Sequence, residues 1–239
     1  MRIDAKGKLF DALNAEISEH NGELEIDNCL GQRFIAAGAS AKQVVINGVP
    51  GNALGAYLAG ATIEVNGNAQ DAVGDTMNAG KIVVRGNVGD AVGYAMRGGA
   101  IYISGNAGYR AGIHMKEYRE KKPVIVIGGR AGSFLGEYQA GGIIIVLGLH
   151  KDGKPILGNF PCAGMHGGKI FLRGDARRVV FPRQTTRRAA SPSDMYEISS
   201  YLAEFCDLFK INVREFSRDD FTVVVPNSSN PYKQMYVAN

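Results

Sequence analysis

The chain has no tryptophan, only three cysteines in 239 residues, and no long apolar run. The longest such run, residues 143–147, falls far short of the roughly 20 residues that a membrane helix needs. Cys29, Cys162 and Cys206 are odd in number, widely spaced and free of any CxxC pair. That pattern argues against a disulfide framework and against an iron–sulfur site, and for reduced thiols in a cytoplasmic protein. The N-terminus, MRIDAKGKLF, is charged from its second residue and lacks the apolar core of a secretion signal. A net charge of +4 is mild and does not by itself point to nucleic acid. A hydrophobic content of 45% excludes wholesale disorder.

What the chain has in excess is glycine, 32 of 239 residues and about twice the usual share. The glycines mark a repeat. The stretches IEVNG (63–67), IVVRG (82–86) and IYISG (101–105) recur every 19 residues. VVING (44–48) and LEIDN (24–28) extend the series backwards, and IVIGG (125–129), IIVLG (144–148) and IFLRG (170–174) extend it forwards. Within each unit a glycine ends a strand (Gly48, Gly67, Gly86, Gly105) and a second glycine follows seven positions later (Gly55, Gly74, Gly93, Gly112). Leu58, Met77, Met96 and Met115 occupy one equivalent position. A period of 19 is too short for a helix-pair solenoid or a propeller blade, but it suits one coil of a β-solenoid. The β-branched runs suit stacked strands, and the glycines suit corners where φ turns positive. The expected fold is all-β: a single-stranded right-handed parallel β-helix of about eight coils, with helical caps at both termini.

The boundaries follow from where the repeat stops. Residues 1–23 form an N-terminal cap, with Leu9, Leu13 and Ile17 at helical spacing. Residues 24–175 carry the coils, and 176–239 comprise a basic, coil-like connector, a helix and a strand. Ser191, Pro192 and Asp194 read as N-cap, N1 and N3 of that last helix. Its apolar side holds Met195, Ile198, Leu202, Phe205 and Phe209. Two coils are enlarged, at 116–123 (KEYREKKP) and 149–161 (LHKDGKPILGNFP). Solenoid insertions map to surface loops, either as binding faces or as neutral elaborations.

Chemistry-bearing residues fall into few groups. VIVIGGRAGSFLG (124–136) imitates a nucleotide-binding turn but is followed by a strand pattern instead of a helix. Asp71 and Asp90 occupy equivalent positions one coil apart. Stacked acids of this kind either cleave carbohydrate or hold a cation, or they bond corner amides as Asx residues do. Cys162 and His166 lie four apart in a Gly-rich corner, where they are read either as metal ligands or as ordinary corner residues. The densest charge is the connector, where Arg177, Arg178, Arg183, Arg187 and Arg188 form either a solvated face or a docking site for an acidic partner. No catalytic, cofactor-binding or metal-binding residue is nominated.

At the level of whole phrases the chain resembles the GXGXG domain, the C-terminal β-helix of the glutamate synthase large subunit. The phrases are GQRFIAA (31–37), GNAQDAVGDTMNAG (67–80), GEYQAGG (136–142) and GNFPCAGMHGG (158–168), within a likeness covering roughly 25–175. Pro161 and Cys162 depart from the family phrase, which has alanines there. The same domain occurs in the C subunit of formylmethanofuran dehydrogenase. The resemblance implies a stand-alone scaffold subunit of a glutamate synthase system, with amidotransferase and FMN-binding synthase subunits as partners. FMN and an iron–sulfur cluster would then reside on those partners, with none on this chain. It implies neither nucleic-acid nor membrane binding and leaves homo-oligomerisation open. A formylmethanofuran dehydrogenase-type complex and an independent carbohydrate-active enzyme using Asp71 and Asp90 are the alternatives.

Overall fold

A computed structural model describes residues 1–149, 153–174, 176, 179–212, 216–217 and 220–227. Eight parallel strands stack in chain order: β2 (Gly22–Leu30), β3 (Lys42–Val49), β4 (Ala59–Asn66), β5 (Ala79–Val84), β6 (Ala100–Ile103), β7 (Val124–Ile127), β8 (Ala140–Val146) and β9 (Gly167–Arg173). They form the eight coils of a parallel β-solenoid. Register is set by two inward columns. Leu24, Val44, Ile63, Ile82, Ile101, Ile125, Ile144 and Ile170 pair successively, and all are buried. Ile26, Ile46, Val65, Val84, Ile103, Ile127, Val146 and Leu172 form the second. A one-residue slip would turn both columns outward, so the hydrophobic pattern fixes the stacking.

On the opposite wall Leu58, Met77, Met96, Met115, Gln139 and Met165 form a third column, every member fully buried. Gln139 interrupts the thioethers, and its amide donates to the carbonyls of Gly141 and Gly142, each at 3.1 Å. Here the chain turns through three positive-φ residues set two apart, as in Ala72, Gly74 and Thr76, or Ala91, Gly93 and Ala95. Their amides bond alternately outward along the solenoid: Ala72 to Asp90 O, Gly74 to Leu54 O, Thr76 to Tyr94 O. The corner is therefore hydrogen-bonded to both neighbouring coils.

The glycines divide into two kinds, which corrects one expectation. Gly55, Gly74, Gly93 and Gly112 have positive φ, as does Gly48. Gly67, Gly86 and Gly105 do not. A Cβ at Gly67 would lie 2.7 Å from Gly48 O, and one at Gly105 would lie 2.7 Å from Gly86 O, so these three are required by close stacking of coil on coil.

The N-terminal cap contains more than a helix. β1 (Arg2–Asp4) pairs in parallel with β2, and α1 (Phe10–Glu19) buries Leu13 and Ile17 over the first coil. Leu9, expected on the apolar side, is the N-cap residue and is exposed. Gln32 fastens the cap, donating to Ala5 O at 2.9 Å and Lys8 O at 3.2 Å.

The C-terminal part departs furthest from the sequence expectation. α2 (Pro192–Phe209) has the expected capping box: Asp194 N–H donates to Ser191 Oγ, and Asp194 accepts from Ser191 N–H. It does not cover the end of the solenoid. Ile198, Leu202 and Phe205 lie along its side, packed on Val83, Tyr102, Val124, Val126, Ile143, Ile145 and Phe171. The last coil is instead extended by β11 (Phe221–Pro226), antiparallel to β9, and by β10 (Thr185–Ala189), antiparallel to β11. The connector is thus partly a strand.

Candidate functional site

Stacking brings equivalent side chains together, so any site must be built from columns. The acid column is spoken for. Asn52 Oδ1 accepts Asp71 N–H at 3.3 Å, Asp71 Oδ1 accepts Asp90 N–H at 2.8 Å, and Asp90 Oδ1 accepts Tyr109 N–H at 2.7 Å. A parallel ladder runs from Asn68 through Asn87 and Asn106 to the amide of Arg130. Each side chain caps an amide one coil further on, as Asx residues do in turns. The carboxylates of Asp71 and Asp90 thus each have an oxygen committed to architecture.

Cys162 is fully buried, at φ +61°, in the corner column that begins with Ala36 and then holds glycines from Gly55 to Gly136, and burial pushes its thiol up to about 12. His166 lies on the neighbouring surface, its imidazole pushed down by burial, with Lys116 and His114 adding to the effect. Among the described residues no three His, Cys, Asp or Glu side chains gather to hold a metal. Burial also raises Cys29 to about 11. A thiol held in its neutral form is a poor nucleophile. The glycine turn at 128–136 leads into β8, not into a helix.

The arginine connector is dispersed. Arg177 and Arg178 lie outside the described residues. Arg188 donates to both carboxylate oxygens of Asp194, one at 3.0 Å, and this pairing, with Ser191 and Lys169, holds the Asp194 carboxyl well below the usual carboxylate range. Arg187 lies over the Phe181 ring at 5.1 Å. Arg183 is exposed.

α2 is held by complementary charge as well as by packing. Glu197 accepts from Lys122 at 2.9 Å and from Lys169 at 2.7 Å. Glu204 pairs with Lys81 and accepts the Tyr102 hydroxyl. In the first enlarged coil, Tyr118 and Lys121 exchange backbone hydrogen bonds of 3.1 Å and close a tight loop. The described part of the second, with Arg130 and Tyr109, walls a cleft of about 470 Å³. His150 lies outside the described residues.

One surface escaped the sequence reasoning. On the corner that carries the positive-φ triplets, Tyr94 meets His114 edge-on at 5.9 Å, and His114 stacks on Tyr138 at 5.1 Å with the planes 8° apart. All three are exposed. Phe134 stacks on Phe160 at 5.4 Å, with Arg110 over Phe134 at 4.8 Å. Beside this runs the column Asn78, Arg97, Lys116, Ala140 and His166, each amide bonded to the preceding coil's third-column residue. Part of the signal was present: Asn78, Arg97 and Lys116 are 19 apart, and residues one coil apart are neighbours at exposed positions as surely as at buried ones.

Comparison with known proteins places these features in context. The model of the GXGXG motif family matches residues 22–229. An uncharacterized protein of Methanocaldococcus jannaschii is 43% identical over a match 248 positions long, gaps included, covering 98% of this chain and 95% of that protein. Among solved structures, a chain of the formyltransferase/hydrolase complex from Methylorubrum extorquens, crystallised with methylofuran, superposes with a TM-score of 0.62. That chain is 20% identical, and the match covers 90% of this chain and 86% of that one, a likeness of fold.

Proposed function

The chain belongs to the GXGXG motif family, and from that premise we propose that it is a scaffold subunit that holds catalytic partners in register. The observation that carries this reading is the use made of the stacked polar columns. Asn52, Asp71 and Asp90, and likewise Asn68, Asn87 and Asn106, bind the next coil's amides, so the most chemistry-like arrays build the rod. Those ladders count against the carbohydrate-cleaving alternative, whose acids would have to be free for acid–base work.

The family phrases favour a glutamate synthase system, in which amidotransferase and FMN-binding synthase subunits would flank this chain and carry FMN and iron–sulfur. Purification of the tagged chain from its native cell, with mass spectrometry of what accompanies it, tests this. Flavin-containing synthase and amidotransferase subunits are the expected companions. Turnover of glutamine or 2-oxoglutarate by the isolated chain would sink the scaffold reading. A formylmethanofuran dehydrogenase-type assembly is the second reading, favoured by the likeness to a chain of the formyltransferase/hydrolase complex. Recovery of formyl-transferring or molybdopterin-type subunits would select it.

A further inference from the structure

Resting on the scaffold reading, we infer that the corner ridge of Arg97, Lys116 and Lys121, with the exposed rings of Tyr94, His114 and Tyr138, is the docking surface for an acidic segment of a partner subunit. The charge argument comes first. Most cations of this chain near α2 have acids: Lys81 has Glu204, Lys122 and Lys169 have Glu197, and Arg188 has Asp194. Arg97, Lys116 and Lys121 differ, since among the described residues their side chains make no ion pair or hydrogen bond. They are nonetheless held together. Lys116 N–H donates to Met96 O at 3.0 Å, which sets it one coil above Arg97, and a Cβ at Gly98 would lie 3.0 Å from Lys121 Cβ.

The acids on the same elements do not neutralise this ridge. Glu117 spends a carboxylate oxygen on Gly142 N–H at 3.0 Å, Glu137 pairs with Arg110 at 3.0 Å, and Asp75 accepts from the Thr76 hydroxyl. Glu120, at the loop tip, is the remaining carboxylate on these elements. Three unpaired cations at fixed spacing favour a negatively charged partner.

The rings supply the second, independent argument. Large exposed aromatics match the composition of protein interfaces, where Tyr is enriched, and the charged row beside them suits a polar rim. The backbone beneath them is rigid. His114 and Tyr138 have positive φ, and their amides bond the next coil at 2.9 Å and 2.8 Å, so little ordering would remain at binding. This places the principal docking face on the middle coils, away from the connector, whose Arg188 and Arg187 are already engaged within the chain.

The test uses the native complex and a zero-length carbodiimide coupling, which joins a lysine amine only to a carboxylate in contact. Lys116 and Lys121 should appear linked to Asp or Glu of another polypeptide, more often than the exposed Lys6. The variant R97E/K116E/K121E should lose the partner at least tenfold in retained amount, with unchanged circular dichroism, whereas R183E/R187E should keep it. Undiminished retention by the ridge variant, or links confined to other lysines, overturns the inference while leaving the scaffold reading intact. Loss of nucleic acid instead of protein would also overturn it. A wild-type chain that purifies alone sinks both readings.

Discussion

The first coils and the later ones share the same inner columns and differ in the outer one. Between the two inward columns, Glu25, Val45 and Glu64 face out from β2 to β4 and remain at least partly accessible. From β5 onward the same position holds Val83, Tyr102, Val126, Ile145 and Phe171, all buried. The cause is α2, whose Ile198, Leu202 and Phe205 cover that half and leave the other bare. A solenoid strand that alternates apolar and polar residues has one face in water, and one that is apolar throughout has both faces covered.

The strongest way to break this contrast is to place a charge on each outer face. Val126→Asp should cost more than about 4 kcal/mol, since it buries an unpaired carboxylate beneath α2. Val45→Lys, on the bare half between Glu25 and Glu64, should change stability by less than about 1 kcal/mol. Urea unfolding followed by circular dichroism reads both, and similar values would refute the contrast. Removing the cover itself comes next. Phe205→Ala deletes a fully buried ring in contact with Phe209 at 4.7 Å and should cost about 3–5 kcal/mol. Glu64→Ala, which loses an exposed pair with Arg85, should cost less than about 1 kcal/mol.

The hold of α2 should also depend on pH. Asp194 has its carboxyl pushed down chiefly by Arg188, so its folded form binds its proton more weakly than the unfolded chain does. Such a group contributes stability that is complete above the unfolded value, about 3.9, and is lost as pH falls through the folded one. The stability of wild-type protein should therefore drop below about pH 4, and Asp194→Asn should flatten that part of the curve. An unaltered acid limb in the variant would assign the loss to other carboxylates. The smallest expected effect concerns the corners common to both halves. Ala91 holds φ +56°, so Ala91→Gly should stabilise by up to about 1 kcal/mol, read as a raised Tm. A lowered Tm would mean that its methyl group packs well enough to offset the strain.

Much of this was legible before any coordinates. Period, coil number, core columns and the Ser191–Asp194 box all follow from spacing, because each coil repeats the same local conditions. The location of α2 was legible too, in the loss of alternation from IEV (63–65) to IVV (82–84) and IYI (101–103), though a helix after a solenoid reads most simply as an end cap. Gly67, Gly86 and Gly105 look identical in sequence to positive-φ corners. They are distinguished only by how near the coil below comes.

The candidate surfaces divide in the same way. That Asp71 and Asp90 occupy equivalent positions one coil apart followed from the 19-residue step. That each bonds the amide of the next coil depends on side-chain geometry, which spacing does not encode. In sequence Arg188 read as either a solvated or a docking cation, and its seat against Asp194 makes it a brace for α2.

The 19-residue period is enough to specify the stacked β-solenoid, since a periodic chain has one efficient way to bury a column of Ile and Val every 19 residues. Which surfaces remain for partners is a matter of long-range packing. That outcome depends on where the aperiodic parts come to rest, and their contacts are long-range, set by apolar area and charge on coils far away in the chain. α2 neutralises Lys81, Lys122 and Lys169, while the side chains of Arg97, Lys116 and Lys121 make no ion pair among the described residues.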